Sequence, residues 1–438
     1  ESFEKLTQEH EILRTTFHLK DGQPIQQVKE QITLDFSESI QKISEDSIAI
    51  LSIPFNLSEG PLFRCRIFKQ EDKDFIVFID FHHIIMDGVS VEILIKRLTE
   101  LYVDNFSSSF ELNYKDFSVW QQHFFDSDVF KLQKKYWLNQ FKSIPEPLNL
   151  PYRGIRPDEQ SFKGKTVNFS VSNSLENKLI EFNLTHSTSN FITLFAVFNI
   201  LLNKYTAQKE FVIGTPVSGR TRPEIQEMLG VFINTLPLKI NIIDDFTFLQ
   251  FVSEIKELVL NSLDNQDYPF EQLVEVLDLE KDLSRNPLFD VMFILQNSNN
   301  DFPKINGLDI LPYKFENKSA KVDLTFEVVE YEKGFSFNIE YNTELFEDTF
   351  IHQLFIHYQF LLEQVLVEPT SKIKLLDIST QLEKKEIFSF NNTKHKFEDA
   401  KTLSELFEEQ VVLTPNAVAL VFEDKSMTYQ ELNTKANC

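Results

Sequence analysis

Two adjacent histidines, His82 and His83, and an aspartate four residues further on, Asp87, are the residues of this chain best suited to chemistry. All three belong to the segment HHIIMDGVS, which follows an apolar run. An imidazole titrates near neutral pH, so a histidine can take or hold a proton during a reaction. Neighbouring side chains on a strand point to opposite faces, so both histidines cannot face one pocket unless the backbone turns. One of them is therefore expected to be structural and the other to be the candidate catalytic group.

The same segment has two alternative interpretations. Hydrogen-bonded core histidines beside an aspartate that caps a helix give the same pattern, and the residues alone favour this structural interpretation. A metal site is disfavoured, because the chain has neither an HExxH segment nor a carboxylate-rich set of partners for the histidines. The pattern by itself therefore leaves catalysis and structure both open.

The elements on either side of the segment would position it. Phe75–Phe81 is a short apolar run rich in β-forming residues, which predicts a central strand. Val91–Leu101 has helical spacing with Ser90 as its N-cap, and Gly88 permits a tight turn between the two elements. We therefore expect a strand that delivers the histidines to the start of a helix, facing a cleft.

The rest of the chain alternates helices and strands, which predicts a mixed α/β fold. Val119–Gln140 predicts one amphipathic helix, and the proline-rich stretch Ile144–Gly164 predicts a boundary between two lobes. The elements predicted beyond it are helices at 175–183, 189–205, after Thr247 and at 348–367, and strands at 210–214, 290–296, 322–329 and 335–341. The polar stretch 383–400 predicts a linker to a further unit.

Composition disfavours several classes of function. With 43 Lys and Arg against 67 Asp and Glu, the net charge of −24 repels nucleic-acid phosphates and anionic lipid heads. The two cysteines, Cys65 and Cys438, allow no disulfide framework or cysteine-rich metal site, and a reducing cytoplasm fits. The longest strongly apolar stretch, Phe191–Leu202, is shorter than the ~20 residues that span a bilayer, and no signal-peptide pattern opens the chain. The sequence therefore predicts a cytoplasmic protein that binds neither nucleic acid nor membrane.

The length and the two ends predict a part of a larger protein. A chain of 438 residues is long enough for roughly two to four structural units with sizeable cores. Glu1 lies inside a helical pattern and Cys438 inside another, so we expect the polypeptide to continue beyond both.

Further segments place the histidines in a known pattern. They are HEILRTTF at His10–Phe17, YKDFSVW at Tyr114–Trp120, IGTPVSGR at Ile213–Arg220, GVFINTLPL at Gly230–Leu238, NQDYPFE at Asn265–Glu271 and DLSRNPLFDVMF at Asp282–Phe293. Together with HHxxxDG, and in this order, they resemble the motifs of the condensation domains of nonribosomal peptide synthetases, which belong to the chloramphenicol acetyltransferase-like acyltransferases. The segment MTYQELNTKAN at Met427–Asn437 resembles the beginning of an adenylation domain.

The resemblance implies a fold and a division of the chain. It implies two chloramphenicol acetyltransferase-like lobes, arranged as a V-shaped pseudo-dimer with a central tunnel. Residues 1–150 would form the N-terminal lobe without its first segment, residues 151–378 the C-terminal lobe, and residues 379–438 a linker and the beginning of an adenylation domain.

The resemblance also implies an activity, within the biosynthesis of antibiotics and other secondary metabolites. The amine of an acceptor aminoacyl group on a downstream peptidyl carrier protein would attack a donor thioester on an upstream carrier protein and form a peptide bond. Phosphopantetheine arms delivered by the carriers would present both substrates, and the domain itself would bind no cofactor and no metal. The adenylation domain in the same chain would be a further partner.

The site implied by the resemblance centres on His83, as a general base or as a group that positions the amine. Asp87 would pair with Arg220 and hold the loop, and His82 would be structural. Gly88 would allow close approach of the substrate, so that Gly88→Val would block access of the acceptor or misfold the loop.

Arg14 and Trp120 are weaker candidates for support of the site. By its type and position, Arg14 indicates an ion-paired arginine at a helix-to-strand corner, whereas Trp120 and Tyr114 indicate ordinary core aromatics. Only the resemblance makes Arg14 and Trp120 candidates for support of the site. Two positions depart from the family pattern. Glu9 stands where the family usually has arginine, and Asn265 stands where it often has histidine.

The subtype is indicated by two segments. SRNPLFDVMFILQN and HHIIMDGVS resemble the domains that accept a D-configured donor residue. Heterocyclisation domains, which replace the histidines by paired aspartates, and epimerisation domains, which are not normally followed by an adenylation domain, are disfavoured. A catalytically silent platform that recruits a carrier protein or a tailoring enzyme stays as the alternative, although the intact HHIIMDG favours catalysis. The adenylation-like segment disfavours a free-standing acyltransferase.

Overall fold

The computed structural model of this protein shows a mixed α/β fold, as predicted. The residues that it describes are 1–39, 51, 53–71, 74–103, 112–297, 305, 307–313, 318–331, 334–394 and 401–438. They form two compact units, Glu1–Ile378 and Ser379–Cys438. No helix in either unit, as far as the chain is described, is long and apolar enough to cross a bilayer.

The first part of the larger unit carries the histidine segment. Its elements are α1 (Ser2–Glu9), β1 (Thr15–Lys20), β2 (Gln23–Val28), β3 (Asp35–Ser39), β4 (Phe63–Glu71), β5 (Asp74–Phe81) and α2 (Gly88–Val103). Strands β1 and β2 form a hairpin, and β3, β4 and β5 form a three-stranded sheet in that order. Buried side chains of α1, α2 and β4 share a hydrophobic core with Ile85 and Met86, which anchors the histidine segment through its own apolar residues.

Strand β5 lies at the edge of its described sheet, so the prediction of a central strand is wrong. Its Phe75 and Val77 side chains are 50% and 53% exposed. An apolar run indicates that a strand buries side chains, but it does not show whether a second strand pairs with it on each side. The strand does end at Phe81, as predicted, and leads into the histidine segment.

The larger part of this unit is built on a six-stranded sheet. Its strands are β6 (Gly164–Ser170), β7 (Glu210–Val217), β8 (Asn234–Asn241), β9 (Val291–Asn297), β10 (Leu324–Tyr331) and β11 (Gly334–Asn342). They lie in the order β6-β11-β10-β9-β7-β8; β9 is parallel to β7 and β10, and the other neighbouring pairs are antiparallel. The helices after α2 are α3 (Tyr114–Phe125), α4 (Asp128–Gln140), α5 (Asn173–His186), α6 (Asn190–Thr206), α7 (Phe248–Asp264), α8 (Phe270–Leu277) and α9 (Asp348–Val367). The predicted elements beyond the proline-rich stretch are confirmed.

The segment predicted as one helix from Val119 to Gln140 contains two. Helix α3 ends before a short turn, and α4 begins after it because the Ser127 side chain accepts a hydrogen bond from the Phe130 amide and caps the helix. Helix α4 buries Phe130 and Trp137 in the core of the six-stranded sheet. Packing against this core already begins at the end of α3, where Phe124 and Phe125 contact it.

The smaller unit contains three helices and a hairpin among its described residues. They are α10 (Gln381–Phe390), α11 (Leu403–Leu413), β12 (Val418–Phe422), β13 (Lys425–Thr428) and α12 (Tyr429–Ala436). The linker predicted at 383–400 is therefore helical up to Phe390, because Thr380 and Glu383 form a capping box that starts α10. The last part of that prediction, residues 395–400, lies outside the described residues.

Candidate active site

His82 is held by the backbone around it. Its amide donates to the Leu62 carbonyl at 2.9 Å, which extends the pairing of β5 by one residue. Its ring Nδ1 accepts a hydrogen bond from the Ile84 amide at 3.1 Å, and the ring faces Phe55 edge-on with 6.2 Å between centroids. With Nδ1 acting as the acceptor, the neutral ring carries its proton on Nε2. These contacts support a structural role for His82.

His83 lies one residue further on, where the chain turns, and its side chain is exposed. The turn is closed by hydrogen bonds from the Ile85 amide to the His82 carbonyl at 3.1 Å and from the Met86 amide to the His83 carbonyl at 3.4 Å. Of the two histidines, His83 is thus the one whose ring is accessible to a second molecule. In the part of the chain that the structure describes, no group of three or more His, Cys, Asp or Glu side chains is arranged to hold a metal ion.

Asp87 is only 3% exposed, and both of its carboxylate oxygens are engaged. Oδ1 accepts from the Ser90 amide at 2.8 Å and from Arg220 Nη2 at 3.1 Å, while Oδ2 accepts from the Phe232 amide at 3.0 Å. The structure thus brings Asp87 and Arg220 together as an ion pair. Because the carboxylate is buried and both of its oxygens accept hydrogen bonds from protein groups, the arrangement holds the loop and supports an architectural role for Asp87.

Ser90 is part of this site, although the sequence indicates it only as a helix cap. Asp87 caps α2 instead, so the helix begins at Gly88, ahead of its predicted start. The Ser90 hydroxyl donates to the Gly230 carbonyl at 2.8 Å and accepts from the Gly230 amide at 3.1 Å and from Arg220 Nη2 at 2.7 Å. Ser90 is fully buried, and its partner Gly230 is 140 residues away along the chain. Local sequence therefore gave no signal for this contact.

The segment from Arg220 to Phe232, here called the crossing segment, supplies these partners from the second part of the unit. Arg220 Nη1 donates to the carbonyls of Ile225 and Met228 at 2.6 and 2.7 Å. The guanidinium also lies over the Phe232 ring, 4.2 Å from its centre. Arg220 thereby binds two carbonyls of the crossing segment and at the same time forms an ion pair with Asp87.

Two aromatic residues of α3 flank the crossing segment. Tyr114 donates from its hydroxyl to the Val231 carbonyl at 2.8 Å, and its ring lies so close to Gly230 that an added Cβ would come within 2.0 Å of it. Trp120 is half-buried and stacks on Phe124 with 5.1 Å between ring centroids. Tyr114 thus packs against core side chains, as predicted, and also joins α3 to the crossing segment, while the role of Trp120 stays a prediction.

Arg14 lies apart from these contacts. Its Nη1 donates to the Lys29 carbonyl at 2.7 Å, and its Nη2 lies 3.6 Å from Glu11 Oε1. These bonds fasten the 3-10 turn at Glu11–Arg14 to the end of β2, as expected of an ion-paired arginine at a corner. Among the residues described, no contact joins Arg14 to the histidine segment.

Gly88 occupies the first turn of α2 and has no positive φ. A Cβ added there would meet none of the described atoms within 4 Å. The tight turn that this glycine was predicted to permit is therefore not required of it, and misfolding of Gly88→Val is not expected. The space next to Gly88, beside the histidine loop, is therefore open.

Glu9, which departs from the family pattern, is buried and paired. Its two oxygens accept from Arg97 Nε and Nη2 at 2.8 and 2.7 Å, a bidentate ion pair that joins α1 to α2. Arg97 Nη1 also donates to Glu100 at 2.8 Å. The carboxylate at position 9 is thus matched by an arginine on the neighbouring helix, and the departure leaves no uncompensated buried charge.

The neighbouring His10 is expected to make stability depend on pH. Burial lowers its pKa to about 4, opposed by Glu9 and reinforced by Arg97. An unfolded histidine titrates near ~6.5, so between these values the unfolded chain binds more protons. The free energy of unfolding should therefore fall as the pH drops from about 6.5 to about 4, by up to about 3 kcal/mol from this residue.

Urea denaturation at several pH values measures this effect. The variant His10→Gln should lose less stability on acidification than the wild type does. His352→Gln, at an exposed histidine of α9, is the matched control and should keep the wild-type dependence. Identical pH dependence in the wild type and in His10→Gln would contradict the prediction.

The remaining motif segments make structural contacts. Asn265 follows α7, donates to the Asn261 carbonyl at 2.7 Å, and accepts at its own carbonyl from Trp137 Nε1 at 2.9 Å. Arg285 of SRNPLF is ion-paired with Asp290, whose pKa burial raises to about 6. The asparagine at position 265, which departs from the family pattern, thus makes its side-chain hydrogen bond with the helix that it follows.

Known proteins match this chain over most or all of its length. The family model of the Condensation domain matches residues 1–388. Gramicidin S synthase 2 of Brevibacillus brevis is 38% identical over 445 residues, which cover 100% of this chain and 10% of that protein. Tyrocidine synthase 3 of Brevibacillus parabrevis is 38% identical over 99% of this chain and 7% of that protein. The chain therefore spans a tenth or less of the length of these curated relatives.

Solved structures share the fold. A four-domain nonribosomal peptide synthetase bound to AMP and glycine matches with a TM-score of 0.81 and 24% identity, over 98% of this chain and 34% of that one. The X-domain from teicoplanin biosynthesis matches with a TM-score of 0.78 and 24% identity, over 86% of this chain and 89% of that one. The resemblance of the motifs is thus confirmed by the family match and by the relatives, and the chain belongs to the condensation domain family.

Proposed function

We propose that this chain forms a peptide bond between two carrier-bound substrates. The acceptor amine attacks the carbonyl of the donor thioester, the new C–N bond forms as the C–S bond breaks, and the donor's thiol leaves with the proton that the amine loses. The observation that carries the proposal is the exposed ring of His83 on a loop held by buried contacts of Asp87, Ser90 and Arg220, in a chain of this family.

His83 has two possible tasks in this reaction. An α-amino group has a pKa near ~8 and is mostly protonated at neutral pH, and an imidazole is suited to take the proton during attack. Thioesters are already activated acyl groups, so holding the neutral amine in line with the carbonyl contributes to the rate by itself. Both tasks require the ring of His83 to be exposed at the loop.

The partners belong to the same proposal. Upstream and downstream peptidyl carrier proteins deliver phosphopantetheine arms to a tunnel between an N-terminal lobe, residues 1–150, and a C-terminal lobe, residues 151–378. Residues 379–438 form a linker and the beginning of an adenylation domain, which the segment MTYQELNTKAN supports. The synthetase works in the cytoplasm. A donor residue of D configuration is supported by SRNPLFDVMFILQN and HHIIMDGVS.

A catalytically silent platform is the second candidate function. An X-domain from teicoplanin biosynthesis, solved in complex with OxyB, shares the fold of this chain with a TM-score of 0.78. A platform needs neither an accessible histidine nor a rigid loop beneath it. The intact HHIIMDG segment and its buried ion pair therefore favour catalysis.

Formation of the dipeptidyl thioester tests the proposal. The natural multidomain protein is supplied with D- or L-aminoacyl donors and an aminoacyl acceptor on their carriers, and mass spectrometry follows the product. Product that depends on His83 supports condensation, and a faster reaction of the D-donor supports the subtype. No product from either donor, with both carriers still bound, would favour the silent platform.

Gly88→Val separates access of the substrate from folding. Because an added Cβ meets open space, the free energy of unfolding should stay within about 1 kcal/mol of the wild type. If the acceptor approaches through this space, its KM should rise at least about tenfold, a loss of about 1.4 kcal/mol in binding. Gly154→Val, in equally open surroundings, is the control for both measurements. A wild-type acceptor KM in Gly88→Val would place the acceptor elsewhere.

A further inference from the structure

A cavity of about 300 Å³ lies between α3, the crossing segment and the loop that precedes α8. Aromatic rings form one wall, among them Phe117 and Phe124 of α3 and Phe232 of the crossing segment. Phe232 also links the cavity to the candidate active site, since its amide donates to Asp87 Oδ2 at 3.0 Å. A ligand in the cavity would therefore touch a residue that holds the histidine loop.

Arg222 lies at the solvent-exposed edge of this cavity. Its guanidinium carbon is 4.2 Å from the centre of the Trp120 ring, and its side chain is exposed. Stacking on an indole holds the planar guanidinium while its N–H groups stay free to donate at the edges. Within the described ranges, no ion pair or hydrogen bond engages Arg222, whereas both terminal nitrogens of Arg220, two residues earlier, donate hydrogen bonds.

The lining of the cavity also carries hydrogen-bond acceptors. Asp267 and Glu271 line it, next to the amide side chain of Gln266. Carboxylates accept hydrogen bonds from amide N–H groups and repel anions. The cavity therefore fits a ligand that places an anionic group beside Arg222 and amide N–H groups near the carboxylates.

Phosphopantetheine has both kinds of group. Its phosphodiester is attached to the carrier protein and must stay near the surface, and it is followed by a gem-dimethyl group, two amides and the thiol. The planar guanidinium is suited to bidentate recognition of phosphate, and the aromatic wall is suited to the methyl groups. We propose that Arg222, stacked on Trp120, binds the phosphodiester of the phosphopantetheine arm of one of the two carriers. This inference rests on the proposed function, since that function supplies the arm.

Binding of the free arm tests the site without turnover. Ligand-observed NMR titrations compare phosphopantetheine with pantetheine, which lacks the phosphate, on the full chain. The wild type should bind phosphopantetheine at least about tenfold more tightly, as expected for a charge-assisted contact. Arg222→Gln should abolish this difference and Arg222→Lys should restore part of it. Arg153→Gln, at an exposed arginine 3.3 Å from Glu347 and outside the cavity lining, should keep it.

Two outcomes of the titrations would overturn the inference. One is a wild type that binds both compounds equally. The other is an Arg222→Gln variant that still prefers the phosphorylated compound. Because neither titration depends on peptide bond formation, a protein without condensation activity would overturn the proposed function and leave the phosphate site to be decided by binding.

Kinetics then identify the carrier. In Arg222→Gln, the KM for either the donor carrier or the acceptor carrier should rise about tenfold, with kcat unchanged within about twofold. An N-acetylcysteamine thioester, which has the thiol end of the arm but no phosphate, should keep its wild-type KM. An equal rise with the N-acetylcysteamine thioester would show that Arg222 acts through the fold and would overturn the inference, as would an unchanged KM for both carriers.

Discussion

His83→Ala is expected to lower kcat for peptide bond formation by about 10²- to 10⁴-fold, the range for loss of a general acid–base group. The ring is exposed, and no described hydrogen bond engages it, so the variant should fold with its free energy of unfolding within about 0.5 kcal/mol of the wild type. The rate of dipeptidyl thioester formation at saturating carrier concentrations measures the first effect, and urea denaturation measures the second. A near-full rate in His83→Ala would refute the assignment.

His82→Ala is the matched control, because the two histidines differ in environment and not in type. Loss of the bond from the Ile84 amide and of the contact with Phe55 should cost about 1 to 2 kcal/mol of stability. The rate per folded molecule should fall less than in His83→Ala. The opposite order, with a stable and inactive His82→Ala, would exchange the roles of the two residues.

His83→Gln distinguishes a base from a positioning group. Glutamine keeps hydrogen bonding but does not titrate, so it replaces a positioning imidazole in part and a base not at all. If His83 positions the amine, His83→Gln should retain clearly more rate than His83→Ala. If it is the base, both variants should be equally slow.

The local pattern of the sequence was sufficient to predict the elements around the histidines. Alternation and helical spacing set the end of β5 and the existence of α2, because these periodicities belong to the elements themselves. The edge position of β5 was not predictable in this way, since it depends on which strands lie beside it. The start of α2 was misplaced because both Asp87 and Ser90 are good helix caps, and their remote partners decide between them.

Contacts between distant segments were beyond local reasoning. The pair of Asp87 and Arg220 was expected only through the resemblance to a family, and the buried hydroxyl of Ser90 was not expected at all. The same holds for Glu9, whose partner Arg97 shows that the departure at position 9 is compensated. Composition and periodicity say where a side chain lies on its own element, and pairing across a core is decided by the packing of the elements.

Arg220→Ala is expected to be among the most destabilising single changes at this site, by about 3 to 5 kcal/mol. It leaves the carboxylate of Asp87 buried without its cation and removes the donors to the Ser90 hydroxyl and to the carbonyls of Ile225 and Met228. Arg220→Lys should recover only part of the loss, because one ammonium group cannot reach all four acceptors in the geometry of the fork. Urea denaturation of the three proteins measures the order.

A double-mutant cycle shows how much of that loss belongs to the ion pair. In Asp87→Ala with Arg220→Ala, the second change no longer strands a buried charge, so the pair should lose about 1 to 3 kcal/mol less than the sum of the single variants. An additive result would mean that the contacts of Arg220 to the crossing segment, and not the ion pair, hold the loop. Rates per folded molecule test whether Asp87 takes part in the chemistry. If Asp87 is architectural, Asp87→Ala should slow the reaction no more than Arg220→Ala does. A much larger loss of rate in Asp87→Ala alone would give the carboxylate a direct part in the chemistry.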